Sequence, residues 1–343
     1  MGPQFLTWLR RKQGSRDNEL EGSISSLCQS TYLQLLVLSN NNFTGEIPYC
    51  LGESSRGLRS LNLGNNGFSG AIPSSIRFLT GLTDLELSNN GVLGEPLLPL
   101  ETCTMLSYVH LAENRFTGSI PHWIGDNLPA LIYLRLRSNM FSGQIRTEFA
   151  KLQSLQILDL ASNNFSGAIP TNIGNLSGMA SSQATIFFLH LIDLQVYSKG
   201  QDMYYRQSLD LMNSLNLSSN SLVGDITEGI RDLASYLNLS YNNLSGEIPS
   251  GHQLQNLEDP SIYMHNPHLC GPPISKSCSS NVTVTESSEK EYGKNNSDLV
   301  WQCISTILGF VMGFWIFCGV IFFKDRWRHA YFSGIDKLFD GIF

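Results

Sequence analysis

The hydrophobic and polar positions along the first two thirds of the chain repeat as one unit. The unit reads L-x-x-L-x-L-x-x-N-x-F/L-x-G-x-I-P, as in "LRSLNLGNNGFSGAIP" from Leu58. The L-x-L alternation predicts a short strand whose leucines point inward. Glycine tolerates the tight bend after the asparagine, and proline suits an outer wall that needs no backbone donor. Each unit therefore predicts one coil of a stacked solenoid.

The asparagine of the unit marks the coils. It recurs at a nearly constant interval, which is broken once, between Asn163 and Asn220. The unit asparagines are Asn18, Asn41, Asn66, Asn90, Asn114, Asn139, Asn163, Asn220 and Asn242. One coil cannot bury its own leucines, so neighbouring coils must stack to do so. The pattern predicts nine parallel strands at about 4.8 Å spacing, which make a sheet of roughly 40 Å.

The unit resembles that of leucine-rich repeats, and its L-x-G-x-I-P ending resembles the plant extracellular class. The resemblance implies an α/β-type repeat fold, a leucine-rich-repeat solenoid of nine coils over residues 18–249. Residues 1–17 look like the remnant of an upstream repeat. The fourth coil departs from the unit, because Pro96 stands where isoleucine is expected.

The long interval between Asn163 and Asn220 holds one coil and an insertion. The inserted residues, at about 175–208, are rich in aromatic side chains and do not follow the unit. They form either a tolerated loop insertion or an island that helps to grip a ligand, since loops on rigid scaffolds often bind. The ligand-binding candidates in the island are Tyr197, Lys199, Tyr204 and Tyr205.

The residues after the last coil divide into two parts. Residues 250–278, which contain "NPHLCGPPISKSC", predict a cap over the open end of the leucine core. Residues 279–298 are polar and acidic, which is typical of a flexible stalk.

Residues 299–323 form a run without any formal charge. As a helix the run would measure about 37 Å, enough to span a bilayer with some tilt. Lys324, Arg326 and Arg328 follow it, so the positive-inside rule places the tail 324–343 in the cytosol and the repeats outside. The pattern predicts a single-pass plasma-membrane protein with one carboxyl-terminal transmembrane helix.

Gly309 and Gly313 form a G-x-x-x-G within that run. Two glycines on one helical face let another helix approach closely. Glycine is also common in membrane helices for no such reason, so helix packing is one of two interpretations.

The seven cysteines predict two disulfides. Cys28 and Cys50 fall at nearly the same place in successive repeats, and Cys270 and Cys278 bracket a short loop. Cys303 and Cys318 lie in the uncharged run 299–323, and Cys103 is left over. Disulfides imply an oxidising compartment, yet the amino end lacks the apolar stretch of a signal peptide. We therefore expect the chain to be a fragment, or the product of a truncated gene, of a longer protein.

Eight N-x-S/T sequons are candidates for glycosylation. They begin at Asn42, Asn164, Asn175, Asn216, Asn238, Asn243, Asn281 and Asn295. The repeat unit itself generates "NLS" and "NFS", so most of them could arise without a glycan. Asn281 and Asn295 lie in the predicted stalk and support a secretory-pathway protein better.

Residues between the leucines of each strand are predicted to face the concave surface. Charged and aromatic ones concentrate in coils four to seven. They are Asp84, Glu86, Tyr108, His110, Tyr133, Arg135, Arg137 and Asp159. They form either a ligand patch, since interfaces favour tyrosine and arginine, or a cross-strand charge ladder that only helps the sheet.

Composition and motifs argue against other classes. The net charge of −7 leaves no basic footprint for nucleic acid. No nucleophile elbow, zinc-protease, P-loop or kinase motif occurs, so we predict no enzyme, no metal site and no cofactor. The predicted cytosolic tail is too short to hold a kinase domain.

Several features in order resemble the carboxyl-terminal part of a plant leucine-rich-repeat receptor-like protein that lacks a kinase. They are the coils, the insertion ending "VYSKGQDMYYRQSLDLMNSLNLSSNSLVG", the cap "NPHLCGPP", the span "LGFVMGFWIFCG" and the tail "WRHAYF". Within that family the chain is similar to the group containing receptors for fungal xylanase.

The resemblance implies a cell-surface receptor that binds an extracellular, pathogen-derived protein or peptide in plant immunity. It implies an adaptor receptor kinase that associates with the span, partly through Gly309 and Gly313, and a co-receptor kinase that the ligand brings in. Two alternatives stay open. One is a truncated, non-signalling paralogue or decoy, and the other is a developmental peptide receptor.

Overall fold

The computed structural model describes residues 19–180, 194–198, 201–205, 213–233, 236–249 and 259–278. None of the helices in this part of the chain has the length and apolarity that a bilayer crossing needs. The strand of the first predicted coil, the stalk, the predicted span 299–323 with Gly309 and Gly313, and the tail all lie outside the described residues.

Eight parallel strands form one sheet in chain order, which we call the inner sheet. Each begins six residues before a unit asparagine, because the L-x-L step that forms it stands there. They are Leu35–Val37 (β1), Ser60–Asn62 (β2), Asp84–Glu86 (β3), Tyr108–His110 (β4), Tyr133–Arg135 (β5), Ile157–Asp159 (β6), Ser214–Asn216 (β7) and Tyr236–Asn238 (β8). Equivalent residues lie opposite each other, as Leu85 does to Val109. This parallel-sheet solenoid confirms the predicted fold, while the count of nine coils stays a prediction.

A second strand follows the asparagine in each coil, and we call these the outer strands. They are Glu21–Gly22, Asn42–Glu46, Gly67–Ser69, Leu93–Gly94, Arg115–Phe116, Ser142–Gln144, Asn164–Gly167, Ser221–Asp225, Asn243–Glu247 and His268–Cys270. They also pair in parallel, in three separate sheets.

Short helices return the chain from the outer to the inner strands. Three are α-helices, Cys50–Ser54 (α1), Ile124–Asn127 (α2) and Ser177–Ala180 (α3). The 3₁₀ helices are Ser25–Gln29, Ser74–Phe78, Leu98–Leu100, Thr147–Lys151, Thr171–Asn175, Glu228–Asp232 and Pro260–Tyr263. The leucines, isoleucines and phenylalanines of the unit fill the space between helices and strands as one continuous buried cluster.

The unit asparagine satisfies backbone groups where the inner strand ends. The Nδ2 of Asn139 donates to the carbonyl oxygens of Leu136 at 3.0 Å and Leu111 at 2.9 Å. Its Oδ1 accepts the N–H of Phe116 at 3.0 Å. The same pattern recurs along the solenoid, and the residue before the asparagine has a positive φ each time, such as 55° at Ser138. The asparagines therefore link each coil to the one before it.

The extra residues after coil seven leave the inner sheet intact, because β6 pairs directly with β7, with Asp159 opposite Asn216. The described residues on either side of the insertion are in contact, since the Nδ2 of Asn213 donates to the carbonyl of Met179. Within the predicted island, Leu194–Ser198 and Gln201–Tyr205 pair as an antiparallel hairpin. The island itself stays a prediction.

The predicted cap begins with one more turn of the same kind. Asn266 donates to the carbonyls of Leu239 and Tyr263, both at 3.0 Å, and accepts the N–H of Leu244. The strand His268–Cys270 extends the outer strands. The bonding pattern of the coils thus continues to residue 270.

The structure pairs Cys28 with Cys50 and Cys270 with Cys278. The first bridge joins two successive coils, and the second closes the loop that follows the last outer strand. Cys103 is a free, buried thiol.

Candidate functional site

The charged and aromatic residues predicted to line the concave face gather on β3 to β6. Seven of the eight are buried, each at most 8% exposed, and Arg137 is half-buried. The structure therefore brings these residues together as a packed cluster rather than as a row of free side chains. We call Glu86, Tyr108, His110 and Tyr133 the central cluster.

Glu86 is the hub of the central cluster. Its Oε2 lies 2.6 Å from the Nδ1 of His110 and accepts the hydroxyl of Tyr108 at 3.0 Å. Its Oε1 accepts the N–H of Ser88 at 3.0 Å. His110 has a second ring nitrogen, Nε2, which can also form a hydrogen bond. That Nε2 is buried and has no hydrogen-bond partner in the described part of the chain.

The two tyrosines stack between neighbouring strands. The rings of Tyr108 and Tyr133 are 4.4 Å apart between centroids and 18° from parallel. His110 meets Tyr133 edge-on at 5.8 Å. Such aromatic pairs add to the energy of area burial, so they strengthen the contact between β4 and β5.

A second pair, Arg135 and Asp159, joins β5 to β6. The Nε of Arg135 lies 3.2 Å from the Oδ2 of Asp159, and both side chains are buried. The Oδ1 of Asp159 accepts the N–H of Ala161 at 3.1 Å. A charge pair so enclosed gives register to adjacent strands but is weak support for overall stability.

The carboxyl groups respond differently to burial. Burial alone would raise the pKa of Glu86, but the charge of His110 and the bonds from His110 and Ser88 bring that pKa below its usual value. Burial raises the pKa of Asp159 despite Arg135 nearby. Burial likewise raises the pKa of Asp84, although Thr83 donates to its carboxylate. Glu86 is thus the carboxylate that this face holds ionised most firmly.

The tyrosine hydroxyls are held neutral. Burial, and then the charge of Glu86, raise the pKa of Tyr108 well above its usual value. Burial raises the pKa of Tyr133 as well. Both side chains therefore keep their protons over the physiological range.

The last residue of most inner strands bonds to its own turn, a pattern that sequence reasoning missed. Its side-chain oxygen accepts the N–H two residues on, at 3.0–3.2 Å, in five coils. The five residues are Asn62, Glu86, Asp159, Asn216 and Asn238. At this position β4 and β5 instead have His110 and Arg135. The sequence contains this difference: from β2 to β8 the position is Asn, Asp or Glu in every strand except β4 and β5, where it is His110 and Arg135.

The remaining predicted site residues are placed only in part. Tyr197, Tyr204 and Tyr205 belong to the strands of the hairpin, and Lys199 lies outside the described residues. In the ranges that the structure describes, no three His, Cys, Asp or Glu side chains are grouped so as to hold a metal ion.

Comparison with known families supports the repeat. The family "Leucine rich repeat" matches residues 104–165, and its single-repeat counterpart matches residues 32–54, 57–79 and 235–254.

Receptor-like protein EIX2 of Solanum lycopersicum is 33% identical, over 92% of this chain and 38% of its own length. Receptor-like protein 32 of Arabidopsis thaliana is 32% identical, over 62% of this chain and 26% of its own length. The chain thus spans less than two fifths of these relatives.

A solved structure shares the fold. It is the Arabidopsis receptor kinase HAESA in complex with the peptide hormone IDA and the co-receptor SERK1, with a TM-score of 0.61 and 31% identity. The match covers 74% of this chain and 37% of that one. With the repeat pattern and the curated relatives, it shows that the chain is similar to the plant leucine-rich-repeat receptor-like proteins, over 92% of its length in the case of EIX2.

Proposed function

We propose that this chain is the ligand-binding and membrane-anchoring part of a plant cell-surface receptor-like protein. Its repeats lie outside the cell, bind an extracellular protein or peptide of pathogen origin, and signal through partner receptor kinases. The similarity to receptor-like proteins supports the receptor class. HAESA, whose solenoid has the same fold, is in complex with a peptide hormone and a co-receptor, which supports a peptide ligand and a co-receptor here.

The observation that carries the proposal is the composition of the face on β3 to β6. Most other inner strands end in a residue that serves its own turn, whereas His110 bonds to Glu86 and Arg135 pairs with Asp159. The half-buried Arg137 adds a cation where the other coils with a described inner strand have Ser, Gly or Ala. Protein interfaces favour arginine, and Arg137 is half-buried while the other members of this face are buried, so Arg137 is the proposed first contact of a peptide segment.

The island belongs to the same site in the proposal. It leaves and rejoins the solenoid between β6 and β7, where Asn213 bonds to Met179. The described residues that flank the insertion, Met179 and Asn213, are therefore in contact just before β7. The tyrosines Tyr197, Tyr204 and Tyr205 are its proposed contacts, with Lys199.

Ligand binding is tested with a fungal xylanase, the ligand of the group that the chain resembles. The full chain is expressed in plant cells behind a cleavable secretion signal and captured on immobilised xylanase. We expect capture, weakened at least tenfold in the variant with Arg137→Ala and Tyr204→Ala. Asn89→Ala, on an exposed turn of coil four, is the matched control. No capture of the unaltered chain contradicts xylanase as the ligand.

Signalling is tested at the predicted span. We expect a co-expressed adaptor receptor kinase to co-purify with the chain, and Gly309→Leu with Gly313→Leu to reduce its recovery, because leucine blocks close helix approach. Gly319→Leu changes a glycine that a helix would turn away from that face, and should leave recovery intact. Equal recovery from all three chains contradicts the packing proposal.

Two alternatives are separated by the same measurements. A decoy or non-signalling paralogue captures ligand but recovers no kinase. A developmental receptor, which the match to a peptide-hormone complex favours, recovers kinases yet responds to an endogenous peptide and not to a fungal protein.

A further inference from the structure

Six of the eight sequons lie in the described residues, and the fold separates them into two groups. Asn42, Asn164 and Asn243 each occupy the first position of an outer strand. Asn216 and Asn238 occupy the last position of an inner strand. Asn175 ends a 3₁₀ helix of the return segment.

The outer-strand asparagines point to solvent. Each is exposed, and the residue after each one is buried, because side chains alternate between the two faces of a strand. Phe43, for example, is fully buried beside Asn42. Asn175 is exposed as well. A bulky, hydrated glycan attached at these four exposed positions can extend into solvent.

Asn216 is in the opposite situation. Its side chain is 1% exposed, and its Oδ1 accepts the N–H and the hydroxyl of Ser218 at 3.2 and 2.8 Å. Its Nδ2, the atom to which a glycan would be attached, is buried without a hydrogen-bond partner in the described part of the chain. Asn238 has the equivalent bonds to Ser240 and is half-buried.

We infer that the exported chain carries N-glycans at Asn42, Asn164, Asn175 and Asn243, and that Asn216 stays unmodified. The glycans then stand on the outer strands and the return segment, and the inner sheet with its central cluster is left free. Glycans are transferred to the asparagines before the chain folds. The fold therefore does not block the transfer but determines which glycosylated chains can reach the folded state. A chain glycosylated at Asn216 cannot bury that side chain without burying a hydrated sugar. The inference rests on the proposed extracellular placement.

The test is site-by-site occupancy of the folded, full-length chain from plant cells. Peptides are treated with a glycoamidase that accepts plant glycans, in heavy-oxygen water, so that each formerly glycosylated asparagine is marked by mass. We expect the mark at Asn42, Asn164, Asn175 and Asn243, and none at Asn216. A marked Asn216, or unmarked outer-strand asparagines, overturns the inference.

Two single substitutions give a matched comparison on gels. Ser166→Ala removes the sequon of Asn164 and should remove one glycan. Ser218→Ala removes the sequon of Asn216 and should remove none, and alanine already occupies the same position of the unit at Ala112 and Ala161. Loss of a glycan with Ser218→Ala overturns the inference even if occupancy mapping is incomplete.

Asn281 and Asn295 separate this inference from the proposed function. If they are glycosylated while the outer-strand asparagines are not, the chain is exported, and only the inferred division into glycosylated and unmodified asparagines is wrong. If no sequon in the chain is modified and the cysteines are reduced, the extracellular placement itself is wrong.

Discussion

Glu86 and His110 lie opposite each other on β3 and β4, and their side chains meet at 2.6 Å between Oε2 and Nδ1. Both are almost fully buried. Each is also a predicted ligand contact, but in this structure the first partner of each is the other. These contacts fit the interpretation of a cross-strand ladder, while the ligand patch stays a prediction.

The pair predicts a pH dependence of stability. Because the folded pKa of Glu86 is below its unfolded value, its contribution is complete above about pH 4.3 and is lost as the pH falls through the folded pKa. Glu86→Gln should lower the free energy of unfolding by about 1–3 kcal/mol at neutral pH. The difference in free energy of unfolding between the unaltered chain and Glu86→Gln should become smaller as the pH falls. Denaturant unfolding at neutral and at acidic pH measures it.

Asp84→Asn is the matched control for that experiment. Burial raises the folded pKa of Asp84 above its unfolded value, so its ionised form destabilises the fold at neutral pH and its protonation favours the fold as the pH falls. Asp84→Asn should leave neutral-pH stability unchanged or raise it. A loss of stability equal to that of Glu86→Gln would contradict the inference that ionised Glu86 stabilises the fold and ionised Asp84 destabilises it.

Replacing a unit asparagine should lower the free energy of unfolding far more than replacing the exposed asparagine that precedes it in some coils. Asn139→Ala removes three donations to backbone carbonyls and one acceptance from Phe116. We expect a loss of about 2–4 kcal/mol, because buried backbone groups are left without partners. Asn89→Gly removes an exposed bond to Asn65 and keeps the positive φ of 49° that glycine adopts freely, so it should cost much less in the same thermal-unfolding assay. Similar losses would show that the ladder is not the main link between coils.

Glycine is required where successive return segments touch. A Cβ at Gly125 in α2 would stand 2.0 Å from the carbonyl oxygen of Glu148 in the next coil. Gly125→Ala should therefore destabilise the fold by about 1–3 kcal/mol or more through overpacking. At Gly81 nothing lies within 4 Å of such a Cβ, so Gly81→Ala should change stability by less than about 0.5 kcal/mol. Thermal unfolding of the two variants side by side measures the difference.

The cysteines of the solenoid should differ in reactivity. Cys28 and Cys50, and Cys270 and Cys278, are bonded in pairs, whereas burial raises the pKa of the Cys103 thiol to about 11. Peptide mapping should recover both disulfides. An alkylating reagent should label Cys103 only after denaturation, because the thiolate is the reactive form. Rapid labelling of Cys103 in the native chain would contradict its burial.

Much of the fold followed from the repeat unit. Leucine spacing placed all eight described inner strands, because only residues six before each asparagine alternate correctly for a short strand. The turn at Asn266 was missed, although Asn266 follows Asn242 at the usual interval of the repeat. At the two leucine positions of the L-x-L before it stand Ser261 and Tyr263, and this segment forms a 3₁₀ helix and not a strand.

The site was less predictable. The sequence identified the charged and aromatic residues of coils four to seven, but it could not say whether they face a ligand or each other. Hydrogen bonding between Glu86 and His110, and the ion pair of Arg135 with Asp159, depend on which residues of neighbouring coils stand side by side.

By itself, then, the sequence determined the coil, its strand, its turn and the stacking of one coil on the next, because these depend on contacts repeated at a constant interval. Only the tertiary structure decided which polar side chains are enclosed and which are exposed. Asn216 and Asn243 belong to identical N-L-S triplets, yet one is buried and the other faces solvent. The reason is that exposure is set by the position of a residue around the coil and by what packs over it, and neither is written in the triplet.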